Sequence, residues 1–355
     1  MLKSLPEQKQ LAVARVFDVL ECGPRNQFWA NGKIVSNCNF QNMPNSTSDA
    51  PMAGELRKSI IAPDGHVIFA PDSSQIEARV LAWVAGHTEL LDKFIAQDKR
   101  SLLPKDQRTG GDVYEFMASL IYNIPIEEVD YERRFIGKIS TLGLGYSMGA
   151  KRFRTTLALG LMGPAVQMEF SECYRIVNTY RKVNAKIVEF WDTCNKVLRD
   201  MVQGKSGSFG PNGILQYEGT SIWLPNGMGL HYPGLHEQFD REYRSVGFKY
   251  ISNGVAKHIY GGLLCENIVQ ALAGVVIREQ MIEIQQLYAK QRLRKGERAV
   301  IATMTHDEIV SVVPERLSSK LLTTNLNIMR TPPRWAPDLP IWAAADGGSA
   351  VNYSV

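Results

Sequence analysis

The sequence predicts an α+β fold: an antiparallel sheet joined to a long, mainly helical middle, with a small β-rich segment in front. Three observations carry this. Residues 299–314, AVIATMTHDEIVSVVP, hold two apolar β-like runs around the polar THD, the pattern of a hairpin turning at His306 and Asp307. From about residue 74 to residue 200 the apolar residues keep mainly helical spacing. The first 37 residues break instead into brief β-like pieces.

In chain order, a short helical start at Pro6 to Val13 gives way to RVFDVLE, QFWA and KIVS, separated by Gly23-Pro24 and Asn31-Gly32. A polar loop, NSTSDAP, follows Met43 and Pro44. The strand pattern 65-GHVIFAPD-72 then leads into 74-SQIEARVLAWVAG-86, where Ile76, Val80, Leu81 and Val84 fall at helical spacing and Ser73 or Ser74 is placed to cap. DVYEFMASLIYNI and ECYRIVNTYRKVNAKIVEFWDTCNKVLRDMV continue the helical period. A glycine-rich, strand-prone section runs from Gly204 to about Gly247, and a further long helix is expected over 261–288. The Pro- and Trp-rich tail has no clear period.

At 355 residues and 45% hydrophobic, the chain has material for two domains or one large domain with an insertion. No run approaches about eighteen consecutive apolar residues, and MLKSLPEQKQ is polar where a signal peptide is apolar. A cytosolic protein without membrane contact is expected. The five cysteines, Cys22, Cys38, Cys173, Cys194 and Cys265, are odd in number and form no CxxC pair, which argues against a disulfide framework and a structural zinc site. The net charge of +4 is too small to imply a nucleic-acid partner, yet six basic residues and no acidic one lie between Arg133 and Arg154.

Asp72 ends the first strand pattern, and Asp307 sits at the hairpin tip. Two carboxylates on rigid β-elements at a sheet edge suit a pair of Mg2+ ions about 3.5–4 Å apart, which clamp the attacking and leaving oxygens of phosphoryl transfer. A strand-end Asp more often only caps the next helix, so both readings stand on the pair alone. In 133-RRFIGKISTLGLGYSMG-149, Arg134, Lys138, Leu142 and Tyr146 recur every four residues. On a helix each lies about 40° around from the last, and all share one broad face running from two cations to an aromatic ring. Cations grip nucleotide phosphates while the apolar end packs on sugar and base.

The segments 72-DSSQIEAR-79, 134-RFIGKISTLGLGY-146 and 306-HDE-308, in this order, resemble motifs A, B and C of the family A DNA polymerases. The resemblance runs from residue 38 to about 340 and takes in 39-NFQNMP-44 and 265-CENIVQALAG-274. It implies a polymerase region over 38–355, with a palm whose antiparallel sheet carries Asp72 and Asp307 and with mainly helical fingers inserted at about 83–250. It further implies DNA synthesis from dNTPs on a primer-template with two Mg2+ ions. By the same resemblance Asp72 and Asp307 bind both metals, with the backbone carbonyl of Ser73 as a further ligand. Arg134 and Lys138 hold the incoming triphosphate, and Lys138 protonates the pyrophosphate leaving group. Glu77 is the steric gate against a ribose 2′-hydroxyl, Tyr146 orders the template base, and Gln270 and His306 touch the primer-template near its 3′ end, with Glu308 close to the metals. Ser73 stands where the family usually has Tyr, and Leu142 where it has Phe or Tyr.

The N-terminal segment has a different resemblance. The pieces 15-RVFDVLE-21, 26-NQFWANG-32 and 33-KIVSNC-38 are similar to the last blocks of an intein, which implies that residues 1–37 are a β-rich, HINT-type C-terminal fragment of a split intein. In that chemistry the Cys38 thiol accepts the upstream acyl group, and the Asn37 side-chain amide cyclises and cuts the chain. The implied partner is an N-terminal polymerase fragment carrying the N-intein, and the implied setting is a phage protein in its host's cytoplasm. Asn26 and Ser36 stand where inteins usually have His. Alternatively, 28-FWANGKIVSN-37 belongs to the polymerase, with Lys33 in the place of the Arg of a Thr-Gly-Arg segment. Two rival functions are a single-subunit RNA polymerase and a non-catalytic nucleic-acid-binding remnant.

Overall fold

The computed structural model describes residues 57–353 apart from 241–244, together with the backbone of two strands further upstream. Those strands, β1 (Gln27–Ala30) and β2 (Lys33–Ser36), pair antiparallel with Ala30 opposite Lys33, on the two segments expected to be strands. Next come β3 (His66–Phe69), β4 (Asp72–Ser73) and α1 (Ile76–Val84). Six helices follow: α2 (Thr88–Ser101), α3 (Val113–Tyr122), α4 (Tyr131–Gly143), α5 (Ala150–Ala158), α6 (Phe170–Val183) and α7 (Ala185–Val202). The glycine-rich section forms β5 (Gly207–Phe209), β6 (Leu215–Glu218), β7 (Ser221–Trp223), β8 (Gly229–His231) and β9 (His236–Asp240), and the strands run on past its expected end at Gly247 through β10 (Ser245–Ser252) and β11 (Val255–Ile259). The chain continues through α8 (Gly261–Ala289), β12 (Val300–Thr305), β13 (Glu308–Pro314), α9 (Ser318–Met329) and β14 (Ala343–Ala344).

Two compact units result. The first takes in the described residues up to Ser74, Ile277–Thr331, and those from Ala343 onward. Its sheet is built on β13, which pairs with β12 on one side and with β3 and then β4 on the other, all antiparallel, while β14 lies outside β4. All four residues of β3 are buried, and its face with Phe69 joins Ile284, Tyr288, Ile309, Val313, Leu321 and Met329 in one apolar cluster. Each such side chain contributes roughly 1.5–3 kcal/mol on burial. Pro71, which has no N–H for the ladder, separates β3 from β4 without changing register: Phe69 stands opposite Ser311 and Asp72 opposite Glu308.

The second unit comprises Gln75–Val276 and Pro332–Trp342. Every residue of α1 except Glu77 is buried. The serine cap expected for this helix is not formed. Gln75 is the capping residue, in a left-handed conformation (φ 56°), and its side chain accepts from Gln97 instead of the helix amides. Helices α3 and α4 pack so closely that a Cβ on Gly137 would lie 2.1 Å from the Tyr114 carbonyl oxygen, a position only glycine fills. Beside the helices lie two antiparallel sheets, β5–β8 in sequence order and β11-β10-β9. The long helix α8 contributes its residues up to 276 to this unit and the remainder to the first. It is long and apolar enough to cross a membrane, but most of its apolar stretch is buried in protein, as in a core helix.

Candidate active site

Strand register decides where the carboxylates of the first unit go. Thr305 pairs with Glu308, so His306 and Asp307 form a two-residue turn, and Glu308 stands opposite Asp72. The Ser73 amide donates to the Asp307 carbonyl at 3.0 Å, clamping that turn to β4. The carboxyl groups of Asp72 and Asp307 therefore come within hydrogen-bonding reach of each other. Although Asp72 keeps some solvent-exposed surface, the protein packed around it and then the charge of Asp307 raise its carboxyl to about 7. Burial likewise raises Glu308, against the Tyr353 hydroxyl that donates to it at 2.7 Å. The Arg57 guanidinium lies over the Tyr353 ring, 4.9 Å from its centroid. His306 is exposed at the tip with φ 55°, a conformation costing a non-glycine residue about 1–2 kcal/mol.

Two carboxylates that resist carrying both negative charges together suit a cation, and an all-oxygen donor set suits a hard one such as Mg2+. Among the described residues no group of three His, Cys, Asp or Glu side chains forms a metal cage. Mg2+ needs none, since it commonly takes one or two carboxylates and completes its shell with water and phosphate oxygens.

In the second unit, Arg134 and Lys138 lie on α4. Lys138 is exposed. Arg134 pairs with Asp112 through both Nη2 and Nε, the latter at 3.0 Å, and sits over the Tyr114 ring. Asp112 is itself the cap of α3: it accepts from the Tyr114 and Glu115 amides while Glu115 reaches back to the Asp112 amide. Leu142, half-buried, is in the last turn of α4. The helix does not run on to Tyr146 as its four-residue spacing suggests. It ends at Gly143, and Leu144–Tyr146 tighten into a 3₁₀ turn whose Gly145 carbonyl accepts from the Trp191 indole at 2.8 Å. This turn brings the Tyr146 hydroxyl to the Glu77 carboxylate at 3.4 Å. Burial and then the Glu77 charge push the Tyr146 phenol well above its ordinary range. Gln270 is exposed on α8.

A family model described as DNA polymerase family A matches residues 25–204, just over half of the chain. The chain belongs to DNA polymerase family A. Over 302 residues it is 30% identical to the DNA polymerase of Bacillus phage SP02, an alignment covering 82% of this chain and 42% of that protein. Over 131 residues it is 33% identical to the thermostable DNA polymerase I of Thermus aquaticus, covering 37% of this chain and 14% of that one. Among solved structures it resembles the POL domain of Pol1 from M. smegmatis in complex with DNA primer-template and dNTP, with a TM-score of 0.62 and 19% identity over 91% of this chain and 46% of that one, a likeness of fold. The chain thus spans less than half the length of these relatives.

Within this family A chain, Asp72, Ser73, His306 and Asp307 come together in the first unit, Glu77 and Tyr146 in the second, and Arg134, Lys138 and Leu142 share α4. Asn37 and Cys38 lie outside the described residues. The family match reaches back to residue 25 and so includes part of the segment expected to be an intein. Two contacts had no sequence signal: Tyr353 on Glu308 and Asp112 on Arg134 are 45 and 22 residues apart. Only the capping role of 112-DVYE-115 was readable locally.

Proposed function

We propose that the chain catalyses template-directed DNA synthesis, adding deoxynucleotides to a primer 3′ end, in the host cytoplasm. The observation that carries this is the pairing of Asp72, on β4, with Asp307, in the β12–β13 turn, in a family A chain. Asp72, Asp307 and the Ser73 carbonyl would hold two Mg2+ ions, which, when bound, activate the primer 3′-oxygen and stabilise charge on the phosphates. Arg134 would exchange Asp112 for the incoming triphosphate, with Lys138 beside it on α4. As the 3′-hydroxyl gives its proton to water, its oxygen bonds to the α-phosphorus and the bond to the β-phosphate breaks, Lys138 would give a proton to the departing pyrophosphate. Glu77 would reject a 2′-hydroxyl, Tyr146 and Leu142 would pack on the nucleotide and template base, and Gln270 and His306 would steady the primer end.

Primer extension tests this. Activity should require Mg2+, favour dNTPs over rNTPs, and disappear in Asp72→Asn and Asp307→Asn. A preference for rNTPs would favour the RNA polymerase alternative, and DNA binding without extension the non-catalytic one.

The sequence of residues 15–38 supports a second element, in which the chain is the C-terminal part of a split polymerase, joined to an N-terminal fragment by trans-splicing at Asn37 and Cys38. The family match from residue 25 supports the rival, in which these residues are polymerase and Lys33 meets the primer. Intact mass after mixing with an N-intein-bearing fragment separates them. Splicing releases residues 1–37 and is blocked by Asn37→Ala or Cys38→Ala, whereas in the rival the mass is unchanged and Lys33→Ala weakens DNA binding.

A further inference from the structure

We propose that the outer face of the β9–β11 sheet grips the phosphodiester backbone of a nucleic acid through a row made by His236, Lys249 and His258. The register sets Lys249 on the central strand β10 directly opposite His258 of β11 on one side and His236 of β9 on the other. Directly opposed residues of antiparallel strands project from the same face, so the three nitrogen-bearing side chains stand abreast. At about 4.8 Å between strands, the row spans about 10 Å. The preceding residue, Phe248, points the other way and is buried in the apolar core of the second unit. The row therefore lies on the side turned away from that core, and both histidines are exposed. Glu237 is opposite Phe248 and belongs to the other face, and Asp240, whose register opposite Ser245 is on the row's face, lies four residues along β9 from His236. His236 donates through Nδ1 to the Gly234 carbonyl at 2.7 Å, which orients its ring.

Gly247 adds an independent observation. It lies two residues before Lys249, hence on the same face, opposite Gln238. Its φ is not in the left-handed region, and a Cβ there would meet nothing nearer than the Gln238 carbonyl oxygen at 4.0 Å. Neither backbone conformation nor packing among the described residues calls for glycine at this point. Glycine weakens a strand interior and is used there for a bulge, a tight bend or the close approach of a ligand or another backbone; the ladder runs without a bulge through Gly247, which favours close approach. Bare strand beside a lysine flanked by two imidazoles fits a chain of phosphates.

This inference rests on the polymerase reading and adds a contact outside the residues assigned to nucleotidyl transfer. The test is fluorescence anisotropy of the full chain on a labelled primer-template and on a labelled single strand, across a salt series. Two variants are compared with the native chain: the triple His236→Gln, Lys249→Gln, His258→Gln, and the single Gly247→Leu. The triple variant should bind several-fold more weakly, with a salt slope smaller by about one for the lost lysine. Its extension rate at saturating DNA should match that of the native chain. Gly247→Leu should weaken binding with no change in thermal stability. Weakening on the single strand alone, or on the duplex alone, supports the row and identifies the form it holds. If the native chain binds and both variants bind with equal affinity and slope, the row is refuted and the polymerase reading stands. If the native chain binds neither probe, both fall together.

Discussion

The Tyr146 hydroxyl donates to the Glu77 carboxylate across 3.4 Å, joining positions 69 residues apart in the chain. If Glu77 is the sugar gate, this contact holds the gate in place. A hydrogen bond to a charged group is worth about 1.5–3 kcal/mol, so Tyr146→Phe should lower the dNTP-to-rNTP ratio of kcat/KM roughly tenfold, and Glu77→Ala by more. Unchanged ratios in both variants would show that the pair does not govern sugar choice.

If Leu142 faces the incoming nucleotide, it offers neither a ring nor a hydroxyl. The native chain should reject dideoxynucleotides strongly, and Leu142→Tyr should recover their use by a factor on the order of ten, the equivalent of one added hydrogen bond. Competition between a dNTP and its dideoxy analogue on one primer reads the ratio directly. Equal incorporation by the two proteins refutes the assignment.

Arg79 is fully buried, forms two hydrogen bonds to Asp98 at 2.6 and 2.7 Å, and lies over the Phe94 ring. It pins α1 to α2. Asp98→Ala leaves a buried guanidinium without its counter-charge and should cost about 3–5 kcal/mol in urea unfolding. The double variant Arg79→Met, Asp98→Leu should recover most of that loss, because two apolar groups replace an ion pair without stranding a charge. Equal destabilisation by the single and double variants would mean that packing, not charge, is what Asp98 contributes.

His87 caps α2 by accepting the Leu90 amide at Nδ1, and burial lowers its affinity for a proton. The folded state thus binds this proton less readily than the unfolded chain. The stability it protects is complete above the unfolded value of about 6.5 and drains away as pH falls through and below it. His87→Asn keeps a capping oxygen and does not titrate. Between pH 7.5 and 5.5 the native chain should lose more unfolding free energy than this variant, and parallel losses would refute the role.

Local pattern made part of this legible in advance. The hairpin over β12 and β13 was readable because apolar alternation brackets THD, and α1 because its apolar residues keep a helical period. Tyr146 was misplaced on the α4 helix because a four-residue period says nothing about where the helix stops. A Cβ on Gly145 would lie 2.6 Å from the Leu81 side chain, and the Gly145 carbonyl that fixes the turn accepts from Trp191, 46 residues away. Asp98 under Arg79 and Tyr353 on Glu308 are long-range pairings between residues that look like ordinary surface polar groups when read locally. Strand formation was recognisable from Gly204 to about Gly247, which stops short of most of β10 and all of β11, and the division into two sheets depends on register, which short, glycine-interrupted runs leave weakly specified.

The sheet that seats Asp72 beside Asp307 also imposes a wait during synthesis. Strand β3 is apolar enough to be buried at every residue, yet its partner β13 is encoded far downstream. On a ribosome adding about 5–20 residues per second, β3 leaves the exit tunnel on the order of 10–50 s before β13 is made. For that interval an apolar, unpaired strand is exposed on the nascent chain, an invitation to chaperones and to mispairing with neighbouring nascent chains. The second unit, encoded almost entirely within that gap, has time to fold before the sheet of the first can close.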